Sequence, residues 1–187
     1  MKKHLTIGKY FLPALLLMAV IAVSDQVSKW FVTEKLISPE GHATVPFFDW
    51  IAKAPATDLT THGYQAIRLA PFLDITMVWN RGVSFGLFSS GGDLMPVALT
   101  VTAVLVSLGL LFWLARTHDR LLATALGLIV GGAAGNVFDR VRFGAVIDYI
   151  DMHAFGVHWP AFNIADCAIV IGAGLIMLDA ISADKKG

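Results

Sequence analysis

Two aspartates stand at the ends of hydrophobic segments, where an ionisable side chain is costly to bury. Asp139 follows the segment Leu121–Phe138, and Asp166 lies at the start of Ile164–Ile181. Ionisable groups in such positions usually face the interior of a helix bundle or a hydrated cavity. If the two segments are neighbouring helices, their carboxyl groups meet near one membrane face. Two close carboxyl groups can hold one proton between them and so supply an acid and a base together.

The composition is that of a membrane protein. Of the 187 residues, 56% are hydrophobic and 15% are charged, and the mean hydropathy is +0.69. These values are typical of integral membrane proteins rather than soluble domains. The 14 basic residues balance the 14 acidic residues, and neither the single cysteine nor the scattered histidines have a metal-binding spacing. We therefore expect no metal, no cofactor and no nucleic-acid partner.

Four hydrophobic segments are long enough to cross a bilayer, which takes about 20 residues of helix. They span approximately residues 10–31, 94–115, 121–138 and 164–181. The first segment leads into Ser24-Asp25-Gln26-Val27-Ser28-Lys29 without a small-residue cleavage site, so we interpret it as a retained helix rather than a signal peptide. Four helices in a chain of this length predict one membrane domain over residues 1–187. We expect this domain to act as a monomer.

Basic residues predict the orientation of the helices. Short segments rich in lysine and arginine precede the first helix, separate the second from the third, and follow the fourth. The positive-inside rule places all of these segments in the cytoplasm. Both termini are then cytoplasmic, and residues 32–93 and 140–163 lie outside. The basic residues concerned are Lys2, Lys3, Lys9, Arg116, Arg120, Lys185 and Lys186.

The outer segment, about residues 32–93, is predicted to be β-rich. Val45–Ile51 and Leu73–Trp79 are rich in β-branched and aromatic residues, which favours strands. Val83–Phe88 is a candidate third strand, and the more polar stretch Ala52–Ala70 is interpreted as an inserted loop. The predicted fold is an all-α polytopic membrane protein with four transmembrane helices and a small extracytoplasmic β-sheet.

A stripe of small residues on the third helix leads to polar residues. Gly127, Gly131 and Gly135 follow one another at intervals of four, and such a stripe lets a neighbouring helix approach closely. The stripe ends among Asn136, Asp139 and Arg140, which share one helix face because they are three and four residues apart. This arrangement favours a functional site, and a purely structural polar clamp is the alternative.

The fourth and first helices each carry a further polar pair. Asn163 and Asp166 are three residues apart, so Asn163 can cap the helix while Asp166 neutralises free N–H groups of the first turn. Asp25 and Lys29 are four residues apart and can form an ion pair. In both cases the structural role and a role in a site are compatible, and the residues alone do not separate them.

Two segments outside the helices also contain polar residues of interest. Asn80-Arg81-Gly82 is a turn-forming sequence that could contact a peptide backbone. Asp148 lies in the second outer segment, where it either orients Arg140 or is simply solvated.

Taken together, these elements resemble the lipoprotein signal peptidases (signal peptidase II), a family of bacterial membrane aspartyl proteases. The resemblance runs in order along nearly the whole chain. Its most specific part is the pair Gly-Asn-x-x-Asp-Arg, ending at Arg140, and Phe-Asn-x-Ala-Asp, ending at Asp166. Supporting segments are Asp25–Lys29, Asn80–Phe85, Val146–Tyr149 and Pro160–Asn163.

The resemblance implies a catalytic dyad of Asp139 and Asp166. Its expected substrate is a prolipoprotein whose lipobox cysteine already carries diacylglycerol, cut just before that cysteine at the outer face of the inner membrane. Membrane lipid is the other expected partner. The resemblance also places residues that shape or support the active site at Asp25, Lys29, Asn80, Gly82, Asn136, Arg140, Asp148 and Asn163.

Two other functional classes fit part of the pattern. In an ion- or proton-coupled transporter, the charged residues of the helices would form a relay, but they would then lie near the bilayer midplane rather than near one face. A noncatalytic assembly factor would use the same polar residues to hold helices together. Cleavage of a lipid-modified substrate distinguishes the protease from both.

Overall fold

The computed structural model of the protein describes residues 7–52, 64–82 and 94–184. Four of its helices are long and apolar enough to cross a membrane, as predicted. They are α1 (Phe11–Phe31), α3 (Leu94–Leu114), α4 (Arg120–Phe143) and α5 (Ile164–Asp184). Helix α1 continues as a π-helical turn over Val32–Leu36, and α2 (Phe47–Ala52) is a short helix outside this set.

Helix α4 is the centre of the bundle and packs against α1, α3 and α5. Its glycines allow two of these contacts. A Cβ atom at Gly131 would lie 2.9 Å from the Cα atom of Met18 on α1, and one at Gly132 would lie 2.4 Å from the carbonyl oxygen of Ala165 on α5. The predicted close approach along the glycine stripe is therefore confirmed for α1. The approach of α5 depends on Gly132, which is not part of that stripe.

A four-stranded antiparallel sheet lies beside the C-terminal end of α4. Its strands, in the order in which they pair, are β1 (Ile67–Ala70), β2 (Leu73–Asn80), β3 (Val146–Ala154) and β4 (Val157–His158). Because β3 begins three residues after α4 ends, the sheet is held close to the last turn of that helix. The pairing of Asn80 with Val146 brings the end of β2 to the same place. The predicted small sheet is thus confirmed, with half of its strands from the segment 140–163.

The prediction of a strand over Val45–Ile51 is wrong, because Phe47–Ala52 forms helix α2. The N–H group of Trp50 donates to the carbonyl oxygen of Pro46 at 2.8 Å, which closes the first helical turn. The backbone groups of Val45 already bind Glu34 and the Trp30 indole, so they are not available to a neighbouring strand. Apolar residues also recur at helical spacing, since Phe47, Trp50 and Ile51 pack into one cluster while Phe48 is exposed.

Two further boundaries differ from the prediction. Helix α4 extends to Phe143 instead of ending at Phe138, because Arg140 and Arg142 suit the negative end of a helix dipole and Gly144 (φ +69°) supplies a left-handed cap. The segment Ala52–Ala70 is not one loop, since Ile67–Ala70 is β1. Residues 53–63, the candidate strand Val83–Phe88, and Lys2, Lys3, Lys185 and Lys186 lie outside the described residues.

Candidate active site

Asp139, in the last turns of α4, is fully buried, accepts two hydrogen bonds and forms one ion pair. Its Oδ1 atom accepts from the side-chain amide of Gln26 at 2.8 Å. Its Oδ2 atom accepts from the backbone N–H of Ile147 at 3.1 Å and is 2.7 Å from the Lys29 ammonium nitrogen. Burial of a carboxylate requires such compensation by donors and by an opposite charge. The surroundings therefore fix both oxygens of this carboxylate.

Lys29 is the positive charge at the centre of the site. Its side chain is 0% exposed, and its nitrogen lies 2.7 Å from Asp25 as well as 2.7 Å from Asp139. Asp25 is itself fully buried and accepts from the backbone N–H of Ala165 at 3.1 Å. The predicted ion pair between Asp25 and Lys29 is confirmed, and it joins α1 to both α4 and α5.

Asp166 is held differently from Asp139. It is half-buried, and its Oδ1 atom accepts from the side-chain amide of Asn136 at 2.8 Å. Its Oδ2 atom accepts from the backbone N–H of Asn163 at 3.2 Å, while the Asp166 N–H donates to the Asn163 side chain at 2.9 Å. This reciprocal pair is a capping box, so the predicted cap is confirmed. The same carboxyl group also faces α4 through Asn136.

One network connects the two aspartates. The side-chain nitrogen of Asn163 lies 3.2 Å from the Asn136 oxygen and 3.3 Å from the carbonyl oxygen of Ile147. Ile147 is also the residue whose N–H group binds Asp139. The chain of contacts thus runs from Asp166 through Asn136, Asn163 and Ile147 to Asp139. The side chains of α4 and α5 point into a common site rather than to opposite sides of the bundle.

Asp148 is a member of this network and is not solvated. It is 1% exposed and accepts from the side-chain amides of Asn163 at 2.7 Å and Asn80 at 2.9 Å. Burial raises the pKa of Asp148 to about 7, against the opposing effect of its hydrogen bond from Asn80. Asn80 is fixed in turn because its side-chain oxygen accepts from the N–H of Gly82 at 2.8 Å. Gly82 has φ +93°, a backbone conformation that favours glycine.

Arg140 is half-buried beside the network. Its guanidinium is attracted electrostatically by Asp166, Asp148 and Asp139, in that order. Its Nε atom is buried and has no hydrogen-bond partner among the described residues.

Three further residues lie at the site that no residue pattern singled out. Gln26 is 6% exposed and binds Asp139; its position three residues before Lys29 was the available signal. The Tyr149 hydroxyl donates to Ser28 at 2.8 Å and so ties β3 to α1. Ile147 contributes only backbone groups, which no sequence pattern reveals.

Comparison with known proteins identifies the family of this chain. A family model described as signal peptidase (SPase) II matches residues 17–182. The chain belongs to the signal peptidase II family. This family consists of proteases, so the network around Asp139 and Asp166 is the candidate active site of a hydrolase.

Curated relatives carry the same family name. A lipoprotein signal peptidase of Methylobacterium radiotolerans is 49% identical over 122 residues, which cover 65% of this chain and 71% of the relative. A lipoprotein signal peptidase of Burkholderia thailandensis is 42% identical over 137 residues, which cover 72% of this chain and 81% of the relative.

Solved structures share the fold. A bacterial membrane enzyme solved by the in meso method at 2.3 Å superposes with a TM-score of 0.69 and 24% identity, over 98% of this chain and 96% of that one. A second bacterial membrane enzyme, solved by the same method at 1.9 Å, superposes with a TM-score of 0.67 and 24% identity, over 95% of this chain and 97% of that one.

Proposed function

We propose that this signal peptidase II removes the signal peptide from lipoprotein precursors that carry diacylglycerol, and that Asp139 and Asp166 are its catalytic dyad. The cut falls just before the lipid-modified cysteine. The single observation that carries the proposal is the network that joins the two aspartates through Asn136, Asn163 and Ile147. A protease needs groups that accept and donate protons, and this network connects two carboxyl groups that can do so.

The chemistry is general acid–base hydrolysis of a peptide bond. One aspartate, ionised, takes a proton from a water molecule as the water oxygen attacks the scissile carbonyl carbon. The other aspartate, protonated, donates its proton to the carbonyl oxygen or to the leaving amine. The bond to the cysteine nitrogen breaks, leaving a carboxylate on the signal peptide and a free amine on the lipoprotein.

The residues around the dyad position it and the substrate. Lys29 and Gln26 hold Asp139 in one orientation, and Asn136 and Asn163 hold Asp166. The half-buried guanidinium of Arg140, which faces Asp166 and Asp148, is the group proposed to bind a substrate carbonyl. Holding the catalytic groups and the substrate in the correct geometry accelerates hydrolysis, because the reacting groups no longer have to meet by diffusion.

The proposed place of the reaction is the outer face of the bacterial inner membrane. The dyad lies where α4 ends and α5 begins, beside the sheet, and the opposite end of the bundle carries Lys9, Arg116 and Arg120. Apolar helix surface below the dyad would hold the acyl chains of the substrate. Each buried methylene stabilises such a complex by about 0.8 kcal/mol.

Conservative variants of the two aspartates test the proposal. Asp139→Asn and Asp166→Asn keep the size and polarity of each side chain but remove its acid–base function. Purified variants are incubated with a diacylglyceryl-modified signal-peptide substrate, and the released peptide is measured. We expect each variant to lose cleavage by at least about a hundredfold, within the range of a general acid or base.

Asp151→Asn is the matched control. Asp151 lies on β3 and binds His158 instead of the network, so this variant should cleave at the wild-type rate. Full activity in either Asp139→Asn or Asp166→Asn would show that the dyad assignment is wrong. Proton flux through reconstituted wild-type protein without cleavage would favour the transporter alternative.

A further inference from the structure

A cavity lies at the end of the bundle opposite the candidate active site. It has a volume of about 180 Å³ and is lined by the first turns of α1 and α4. The side chains that matter for its chemistry are Tyr10 and Leu17 on one side and Arg120 and Thr124 on the other. The catalytic aspartates lie in the last turns of α4 and the first turn of α5, so the cavity is separate from their site.

An open apolar groove adjoins this cavity. The groove has a volume of about 570 Å³ and is lined by Leu12, Pro13, Leu15 and Leu16 of α1. Pro13 borders both the groove and the cavity, so the two form a continuous surface. Leu12 and Leu16 are 74% and 68% exposed, which in a membrane helix means contact with lipid chains.

Three cationic side chains lie at this end of the bundle. The Lys9 nitrogen is 4.7 Å from the centroid of the Tyr10 ring, and the Arg116 guanidinium carbon is 3.3 Å from that of Phe112. Lys9 and Arg116 are brought close together because the N–H of Gly8 donates to the carbonyl oxygen of Ala115 at 3.1 Å. A Cβ atom at Gly8 would lie 1.9 Å from the Thr117 carbonyl oxygen, so this contact is tight. All three cations are exposed, and none forms an ion pair with a carboxylate within residues 7–52, 64–82 and 94–184. The third is Arg120, which lines the cavity itself.

We propose that this cavity and groove bind an anionic phospholipid of the inner leaflet. The guanidinium of Arg120 binds the phosphate, which suits its planar fork of donors, while Lys9 and Arg116 add positive charge at the level of the headgroups. One acyl chain lies along the leucines of the groove. The ligand must be both anionic and acylated, because the cations and the apolar groove are adjacent. This site does not depend on protease activity, so it can be tested separately.

Lipid retention by the purified full-length protein measures this binding. Delipidated protein in detergent is mixed with equal amounts of palmitoyl-oleoyl phosphatidylglycerol and the phosphatidylcholine with the same chains, and bound lipids are counted by native mass spectrometry. We expect the wild-type protein to prefer phosphatidylglycerol. Arg120→Gln should reduce that preference about tenfold, which corresponds to about 1.4 kcal/mol. Thr124→Leu, which fills the cavity and keeps every cation, should reduce total retention of phosphatidylglycerol similarly.

Arg68→Gln is the matched control, because Arg68 is an exposed arginine on β1 that pairs with Asp74 at the other end of the molecule. It should keep the wild-type preference, and the thermal unfolding temperature shows that each variant is folded. Equal retention of the two lipids by wild-type protein would overturn the proposal, as would an Arg120→Gln variant with unchanged preference. Displacement of phosphatidylglycerol by excess inorganic phosphate would also overturn it, since the site would then bind free phosphate.

Discussion

At the scale of single residues, Lys29 decides whether the site can exist in a buried position. It is the only cation that bonds to Asp25 and Asp139 among the described residues, and all three side chains are fully buried. Without Lys29, the carboxylates of Asp25 and Asp139 would be buried without an opposite charge. The free-energy cost of such a buried charge exceeds the net stabilisation that a buried ion pair provides. Lys29 is therefore necessary to the fold of this region.

Replacing Lys29 with methionine should destabilise the protein and abolish cleavage. Removal of one partner of a buried ion pair typically costs about 3–5 kcal/mol. The unfolding temperature in detergent and the cleavage rate measure the two effects. Lys35→Met, at an exposed position in the π-helical turn, is the control and should change neither. The double variant Asp25→Asn/Lys29→Met should regain part of the lost stability, because it removes one unpaired charge; no recovery would contradict this explanation.

Asp148 should make stability depend on pH. Burial raises its pKa from 3.8 to about 7 in the folded protein, the Asn80 hydrogen bond opposes this rise, and the charge of Asp166 adds to it. Asn163 and Lys29 lower the pKa, and the Arg140 guanidinium is also attracted by Asp148. Between pH 3.8 and about pH 7, the folded state therefore binds more protons than the unfolded state. The stabilisation that protonated Asp148 provides is fully present below about pH 4 and is lost as the pH rises through about 7.

Thermal unfolding between pH 4 and pH 8 measures this dependence. Asp148→Asn removes the titrating group, so its unfolding temperature should fall less than that of the wild-type protein over this range. Asp151→Asn, three residues further along β3, should keep the wild-type dependence. An identical pH dependence in wild-type protein and Asp148→Asn would show that Asp148 does not titrate in this range.

Residue patterns predicted the side chains of the site better than its backbone contacts. Asn136, Asp139, Asn163 and Asp166 were recognisable because polar residues interrupt long apolar segments at helical spacing. The role of Ile147 depends on its N–H and carbonyl groups, and any residue type supplies those. For Asp148 the sequence left two roles open, and its burial was decided by the pairing of β2 with β3.

At the scale of elements, glycine contacts bring the polar ends of three helices together. A Cβ atom at Gly135 would lie 2.6 Å from the Asp25 carboxylate, and one at Gly132 would meet the backbone of Ala165 on α5. Larger residues here would separate α4 from its neighbours. Since Asp25 binds the Ala165 N–H, the same displacement would also break the link from α1 to α5.

Gly132→Ala should therefore weaken both packing and activity. The added methyl group meets a backbone oxygen that cannot move aside easily, and overpacking of this kind typically costs about 1–3 kcal/mol. The unfolding temperature and the cleavage rate should both fall. Gly174→Ala on α5 is the control, because a Cβ atom there has no neighbour within 4 Å. Unchanged cleavage in Gly132→Ala would show that the approach of α5 does not set the geometry of the dyad.

Short elements were harder to predict than the four long helices. The long helices follow from apolar runs that only a membrane span explains. In contrast, α2 has six residues, and aromatic and β-branched residues favour a strand when tertiary contacts are unknown. Its helical form is stabilised by contacts from elsewhere in the chain, including the Arg142 guanidinium, which stacks 4.6 Å from the Trp50 ring.

At the scale of the whole molecule, the two ends of the bundle differ in chemistry. One end carries the buried carboxylates, Lys29 and the sheet, whereas the other carries exposed Lys9, Arg116 and Arg120. The positive-inside rule weighs the basic residues next to the membrane spans, and it predicts that the end with Lys9 faces the cytoplasm. Arg140 and Arg142 at the other end count against this orientation, but Arg140 is attracted by the aspartates of the candidate site. The proposed lipid site and the proposed dyad would then lie in opposite leaflets of one membrane.

Thiol labelling in intact cells tests this orientation. Cys167 is the only cysteine in the chain, so a Cys167→Ala background allows single cysteines to be introduced. Glu40 is an exposed residue between the π-helical turn and α2, and His118 is an exposed residue between α3 and α4. A membrane-impermeant maleimide should label Glu40→Cys in intact cells but label His118→Cys only after the inner membrane is permeabilised. The reverse pattern would place the dyad on the cytoplasmic side, where precursors exported with their lipid at the outer leaflet could not reach it.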